Sequence, residues 1–292
     1  MPAFFPLSDL PRGLRNLVTL LPLVPSTAYL AFFIGYPLAR SLQWALTPTG
    51  SSGGILLLEV LLSRRFLEVL TNTLLLLAAI IPSQFLLALA ATFLFTERFR
   101  GREVALYLFV LPLAISDVAA ALLWYTMLSP KGFLNKLLME LGVISRPIQF
   151  FGYAFRHMEF LAIVLCEVWR ATAIVFVNLY AGYQMIDREL IEASEVFGLS
   201  FPQRLRYVIL PLLKPSIESA LLIRTLFALQ MFAPILMLAG LDIPVLATET
   251  FYVFGQLFDA PRASAWALFI GMFTLAVSAV YVRLLRTSRV VR

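Results

Sequence analysis

The chain has 292 residues, 61% of them hydrophobic and only 14% charged, with a mean hydropathy of +0.88. Soluble domains carry about 25% charged residues, so this composition excludes a soluble globular protein and implies a polytopic membrane protein in contact with a lipid bilayer. The net charge of +6 comes without any basic–aromatic module, which excludes nucleic acid as a partner, and the single Cys166 excludes an intrachain disulfide and any CxxC metal or redox motif.

A spanning helix needs about 20 mostly apolar residues. Six runs reach that length: 17–46, 66–95, 104–128, 159–183, 215–240 and 263–286. They predict an all-α fold of six transmembrane helices in a single domain over 1–292. Arg12 and Arg15 precede the first run in the manner of a signal peptide, but the run continues to about Leu46 without a clear small-residue cleavage site, and reads as an uncleaved first span. Pro22, Pro25 and Pro37 in the first span and Pro82 in the second predict kinks, which membrane helices tolerate when neighbours satisfy the freed carbonyls. The connections are 47–65, 96–103, 129–158, 184–214 and 241–262.

Basic residues orient the array. With the N-terminus inside, the inner connections and termini hold 13 of the 23 Lys and Arg and the outer ones hold seven, Arg64, Arg65, Lys131, Lys136, Arg146, Arg156 and Arg262. The bias puts both termini and the loop 184–214 in the cytoplasm, and the positive charge therefore reports topology.

That loop has a local logic of its own. Asp187 can cap a short helix over 188–197, with Glu189 favourable in its first turn. Gly198 fits the left-handed residue that ends such a helix, and Ser200 with Gln203 has the capping-box spacing for the next one. Small Ala193 and Ser194 leave room for a close approach, and Pro211 and Pro215 mark the start of the fifth span.

Residues 192–211 carry the pattern Glu192-Ala193-Ser194, then Gly198, then Val208-x-Leu210-Pro211. This closely resembles the Glu-Ala-Ala…Gly…Ile-x-Leu-Pro loop of permease subunits in bacterial and archaeal ABC importers of the type I fold. Elsewhere Phe66 with Asn72-Thr73, Leu111-Pro112, Trp124, the Ser129–Asn135 run and Glu167-Val168-Trp169-Arg170 resemble the same family, best its carbohydrate branch of maltose- or trehalose-type permeases. Ser194 and Val208 are mild departures; Phe197 stands where an acidic residue is usual, and Ala239–Pro244 replaces a Gly-Gly-Pro stretch. The resemblance implies that Arg188, Glu189, Glu192, Ala193, Ser194, Gly198, Leu199, Ser200, Val208 and Pro211 dock the ATPase. It implies as partners a second, homologous permease, two ATPase subunits and an extracytoplasmic solute-binding protein, in a prokaryotic cytoplasmic membrane. It implies no cofactor in this chain, ATP and magnesium belonging to the ATPase.

Charges within spans are costly and face a bundle interior or a wet cavity. Here they are Asp117, Glu167, Arg170, Glu218 and Arg224, with Glu167 and Arg170 at i,i+3 spacing. They read either as packing salt bridges or as a polar cavity for a hydroxylated solute. On the resemblance, the solute path comprises Asp117, Glu167, Arg170, Ala171, Ile174, Arg224, Phe227, Ala228 and Met231, joined by Leu113, with Ile223, Leu226 or Gln230 as alternatives in the fifth span; Trp124, Trp169 and Phe227 read either as stacking walls for a sugar or as ordinary packing. Two acids balance two arginines, which disfavours a strongly charged solute. The lone His157 and the absence of a phosphate-binding Gly-x-x-x-x-Gly-Lys-Ser/Thr loop or a Gly-x-Ser-x-Gly motif leave no catalytic constellation. The expectation is a sugar-importer permease. The alternatives are an importer permease for glycerol phosphate or polyamine, or a stand-alone transporter or channel, although neither a selectivity motif nor paired broken half-helices stand out.

Overall fold

The computed structural model describes residues 21, 23–48, 55–97 and 99–288. Among them every element is helical, apart from one isolated bridge between Pro48 and Ile55. Pro22, residues 17–20 of the first run, and the basic residues Arg12, Arg15, Arg98, Arg289 and Arg292 lie outside the described residues.

The first run is α1 (Leu23–Leu30), a π-helical turn (Ala31–Gly35) and α2 (Tyr36–Ala45) in direct succession. The wide turn sits just before Pro37, where Tyr36 N–H reaches Ala31 O and the proline has no N–H to give. A short α3 (Leu56–Leu61) leads to α4 (Arg64–Thr96), one 33-residue helix that begins where Ser63 Oγ accepts from Phe66 N–H at 3.1 Å. Pro82 lies inside α4 without breaking it.

The expected third span, 104–128, is not one helix. α5 (Arg102–Val110) passes through a 3-10 turn (Leu111–Ala114), and the axis then bends by 103° before α6 (Asp117–Leu128). Pro112 removes a donor, Ile115 is extended, and the Ser116 side chain accepts from Ala119 N–H to start a new helix. α7 (Phe133–Glu140) follows, and its buried Asn135 binds Ser129 O and both backbone groups of Ile148, tying down the return of the chain. A 3-10 turn (Tyr153–Phe155) then leads into α8 (Arg156–Gln184).

The fifth span also departs from expectation. Helix starts at α10 (Phe201–Arg204), passes a π turn (Leu205–Ile209) and runs on as α11 (Leu210–Leu229) through both Pro211 and Pro215. In the π turn Leu210 N–H reaches back to Leu205 O, an i→i−5 bond that widens the helix just before Pro211, whose ring would crowd the carbonyl four residues back in a regular helix. The helix breaks at Gln230–Phe232, and α12 (Ala233–Ala239) leaves at 50°. Pro234 cannot bond Gln230 O, so the expected span 215–240 ends at Leu229 as a straight element and continues as a bent one. α13 (Leu246–Gly255) and α14 (Ala260–Ser288) complete the described chain.

Three of these helices are long and apolar enough to cross a membrane, or five if each bent pair counts as one span. α8 is central: half of its apolar window is buried, against 11% for α14. α8 packs against α4, α11 and α12, while α14 holds α2, α3 and α13 at the periphery. The core follows this plan, with Leu76, Ile80, Ile163 and Ile235 at its centre and a phenylalanine cluster, Phe95, Phe109 and Phe176, towards the end that carries the polar loop. At the opposite end Arg65 binds Glu249 at 2.8 Å and Glu68 at 3.1 Å.

Candidate functional site

The polar loop forms the helix–turn–helix that its residues specify. α9 (Arg188–Val196) ends at Gly198, whose φ of +74° is left-handed. Gly198 N–H donates to Glu195 O at 2.9 Å and Leu199 N–H to Ser194 O at 3.1 Å, the paired bonds of a Schellman motif. The next helix starts where Gln203 Oε1 accepts from the Ser200 N–H and hydroxyl, both at 2.9 Å. One expectation fails in detail: Asp187 has N-cap backbone geometry but its side chain makes no capping bond.

Burial sorts the residues of the loop. Arg188, Glu189, Glu192 and Ala193 are exposed, whereas Ser194 is buried and its hydroxyl donates to Ile191 O at 2.6 Å. Val208 lies half-buried in the π turn and Pro211 is exposed beyond it. The loop is braced from below. Glu195 pairs with Arg204 across the turn, Arg204 lies over the Phe201 ring, and Phe93 of α4 meets both Phe201 and Tyr183 edge-on at 5.8 and 5.9 Å. A cleft of about 780 Å³ opens behind α9. What sequence reasoning missed is the apolar tip: Val196 and Phe197 are 88% and 82% exposed. The apolar pair Val196-Phe197 directly before the turn glycine was the available signal.

The intramembrane charges converge. Glu167 on α8 is fully buried and gives one carboxylate oxygen to each of two arginines. Its Oε2 accepts from Arg224 Nη2 of α11 at 2.6 Å, and its Oε1 accepts from Arg170 Nη2 and Nε at 2.9 and 3.2 Å. Arg170 Nη1 reaches Asp117 Oδ1 at 2.8 Å. The 103° bend makes this possible, since it puts Asp117 in the first turn of α6, where a carboxylate also suits the helix dipole. A fifth member was not foreseen. Gln84 of α4, also fully buried, accepts from Arg224 Nε at 2.6 Å and donates to Glu167 O at 2.7 Å. Four helices thus meet at one polar knot, and its most open member is Asp117, which is half exposed, against 12% for Arg170.

The remaining residues of the expected solute path separate. Phe227 is exposed and Ile174 half-buried, but Ala171 is buried, Ala228 packs with Leu77 and Leu229, and Met231 belongs to the central core. Leu113 is exposed at the bend, and Trp124 and Trp169 contact each other edge-on at 6.1 Å. Glu218 pairs with Lys214 on α11 at 3.8 Å.

A family model described as binding-protein-dependent transport system inner membrane component matches residues 50–289. The chain belongs to that family. Among relatives, the trehalose/maltose transport system permease protein MalF of Thermococcus litoralis is 35% identical over 156 residues, 53% of this chain and 52% of that protein. The match therefore spans about half the length of that relative. The trehalose transport system permease protein SugA of Mycobacterium tuberculosis is 31% identical over 219 residues, 73% of this chain and 68% of that protein. A bacterial ABC transporter involved in the import of the acidic polysaccharide alginate superposes with a TM-score of 0.79 over 95% of this chain and 97% of that one, at 22% identity. The family assignment and this superposition establish the type I importer permease fold and an inner-membrane component.

Proposed function

We propose that the chain is the transmembrane permease subunit of an ATP-driven importer, and that with a second, homologous permease it forms the path for a di- or oligosaccharide delivered by an extracytoplasmic solute-binding protein. ATP and magnesium act on two separate ATPase subunits; this chain contributes no catalytic group. The observation that carries the reading is the α9 loop, whose exposed Glu192, Ala193, Val196 and Phe197 stand on a base fixed by the Gly198 turn and the Glu195–Arg204 pair. A surface of this kind suits a groove on a partner, and its base passes force to α4 through Phe93 and to α11 through the continuous 201–229 helix. Coupling follows if nucleotide and solute favour different arrangements of these packed helices, since a ligand shifts an equilibrium only by its differential affinity for the two states.

The relatives named for trehalose and maltose support the sugar class, and the mid-membrane knot of carboxylates and planar guanidinium groups offers the hydrogen-bonding chemistry that hydroxyls take. Two introduced cysteines test the orientation, because the native Cys166 is fully buried. Ser52→Cys is expected to react with a membrane-impermeant reagent from outside intact cells and Ser288→Cys is not. The reverse labelling would place α9 away from ATP and remove the coupling reading.

A further inference from the structure

We infer that the charge knot acts as a filter against anionic solutes, with Gln84 and Arg224 as the positioning residues that keep it set. The inference rests on the importer reading above. Its basis is which charges the knot hides and which it shows. Both guanidinium groups are committed to internal partners: Arg224, 1% exposed, through Nε to Gln84 and Nη2 to Glu167, and Arg170, 12% exposed, through all three nitrogens to Glu167 and Asp117. The exposed member is an acid. Asp117 is 51% exposed, and its Oδ2 has no partner among the described residues.

A half-exposed carboxylate among apolar spans is too costly to face lipid, and on the importer reading the wet side it faces is the solute path. What a passing solute meets is therefore an acceptor oxygen with negative charge. A sugar hydroxyl can donate to Oδ2 without disturbing the knot. A solute carboxylate or phosphate is repelled, and the repulsion is stronger in a low-dielectric path than in water; to bind it would have to draw Arg170 away from both of its acids.

The buried members set this polarity. Gln84 uses both ends of its amide, accepting from Arg224 Nε and donating to Glu167 O. Arg224 is thereby turned so that Nη2 takes only Oε2 of Glu167, and Oε1 remains for Arg170. Without Gln84, Arg224 is free to take both oxygens in a bidentate pair, which loosens Arg170 from Glu167 and uncovers a cation towards the path. Gln84 acts through Arg170 and has no contact with the solute.

The test is equilibrium binding to assembled importer complexes purified without the solute-binding protein, which would otherwise select the solute first. The probes are trehalose and the same disaccharide with one primary alcohol oxidised to a carboxylate. The wild-type complex is expected to prefer the neutral sugar by about tenfold or more, the scale of one hydrogen bond to a charged group. Asp117→Asn removes the repulsion and is expected to abolish or invert the preference, Asp117→Glu to keep it, and Gln84→Met to shift it in the direction of Asp117→Asn. A purely structural role for Gln84 would lower binding of both sugars alike and leave their ratio unchanged. Equal wild-type affinity for the two sugars would overturn the inference, as would ratios untouched by Asp117→Asn and Gln84→Met. Wild-type complex that binds neither sugar would instead strike the sugar reading beneath it, and the inference with it.

Discussion

The α9 loop and the mid-membrane knot are both charged, and they are built in opposite ways. Every bond that shapes the loop joins residues at most nine apart, from Ser194–Leu199 to Glu195–Arg204, and its charged side chains are mostly exposed. The knot joins helices through residues up to 140 apart in sequence and buries Gln84, Glu167 and Arg224 completely or nearly so, leaving Asp117 the most exposed member. A locally closed unit can move as a body without losing its shape. The knot, in contrast, holds only while four helices keep their relative positions, which fits it to register where those helices stand.

The comparison is broken most severely at Glu167. Glu167→Ala leaves Arg224 buried without a counter-charge, and losing one partner of a buried pair costs about 3–5 kcal/mol. The expected outcome is a marked loss of folded, assembled complex on size-exclusion chromatography, with Glu167→Gln recovering most of it. A wild-type yield from Glu167→Ala would show that the knot is not integral to packing. The path between the two regions is probed at Gly182, where α8 and α11 approach so closely that a methyl group would lie 2.6 Å from Ser216 Cβ. Gly182→Ala is expected to lower the thermal midpoint by overpacking, at about 1–3 kcal/mol, and addition of Ser216→Gly to restore it. At the loop, Glu195→Ala removes a pair whose acid is 56% exposed, and the expected loss of stability is below about 1 kcal/mol. If solute-stimulated ATPase activity nevertheless falls while assembly holds, the pair serves the rigidity of the lever; if activity and stability are both unchanged, the pair is dispensable.

The same contrast explains what the sequence made legible. The turn at Gly198 and the helix start at Ser200 were readable because the residues that determine them are adjacent. The charges at 117, 167, 170 and 224 were readable as a group because an apolar chain carries so few. Their geometry was not, and Gln84 was missed, since a single amide in an apolar helix says nothing about partners 83 and 140 residues away. The breaks near Pro112 and Pro234 were hidden by composition, because both halves of each run are equally apolar. Pro112 followed by the capping Ser116 was the local sign of the first, and Pro234 four residues beyond Gln230 of the second. Ala228 and Met231 were placed on the solute path by the family resemblance alone, and their packing against Leu77 and Leu229 and within the central core depends on neighbours far away in sequence.

Two glycines separate the coupling role proposed for the α9 loop from general stability. Gly198 and Gly142 both adopt left-handed backbone, with φ of +74° and +69°, and a Cβ added at either meets open space. A valine at each position therefore imposes the same kind of strain, about 1–2 kcal/mol, and only the place differs. In proteoliposomes holding equal amounts of assembled permease, with ATPase and solute-binding protein supplied, the ratio of solute-stimulated to basal ATP hydrolysis is the decisive quantity. Gly198→Val is expected to lose the stimulation and Gly142→Val to keep it. Normal stimulation in Gly198→Val, or an equal loss in both variants, would contradict the account.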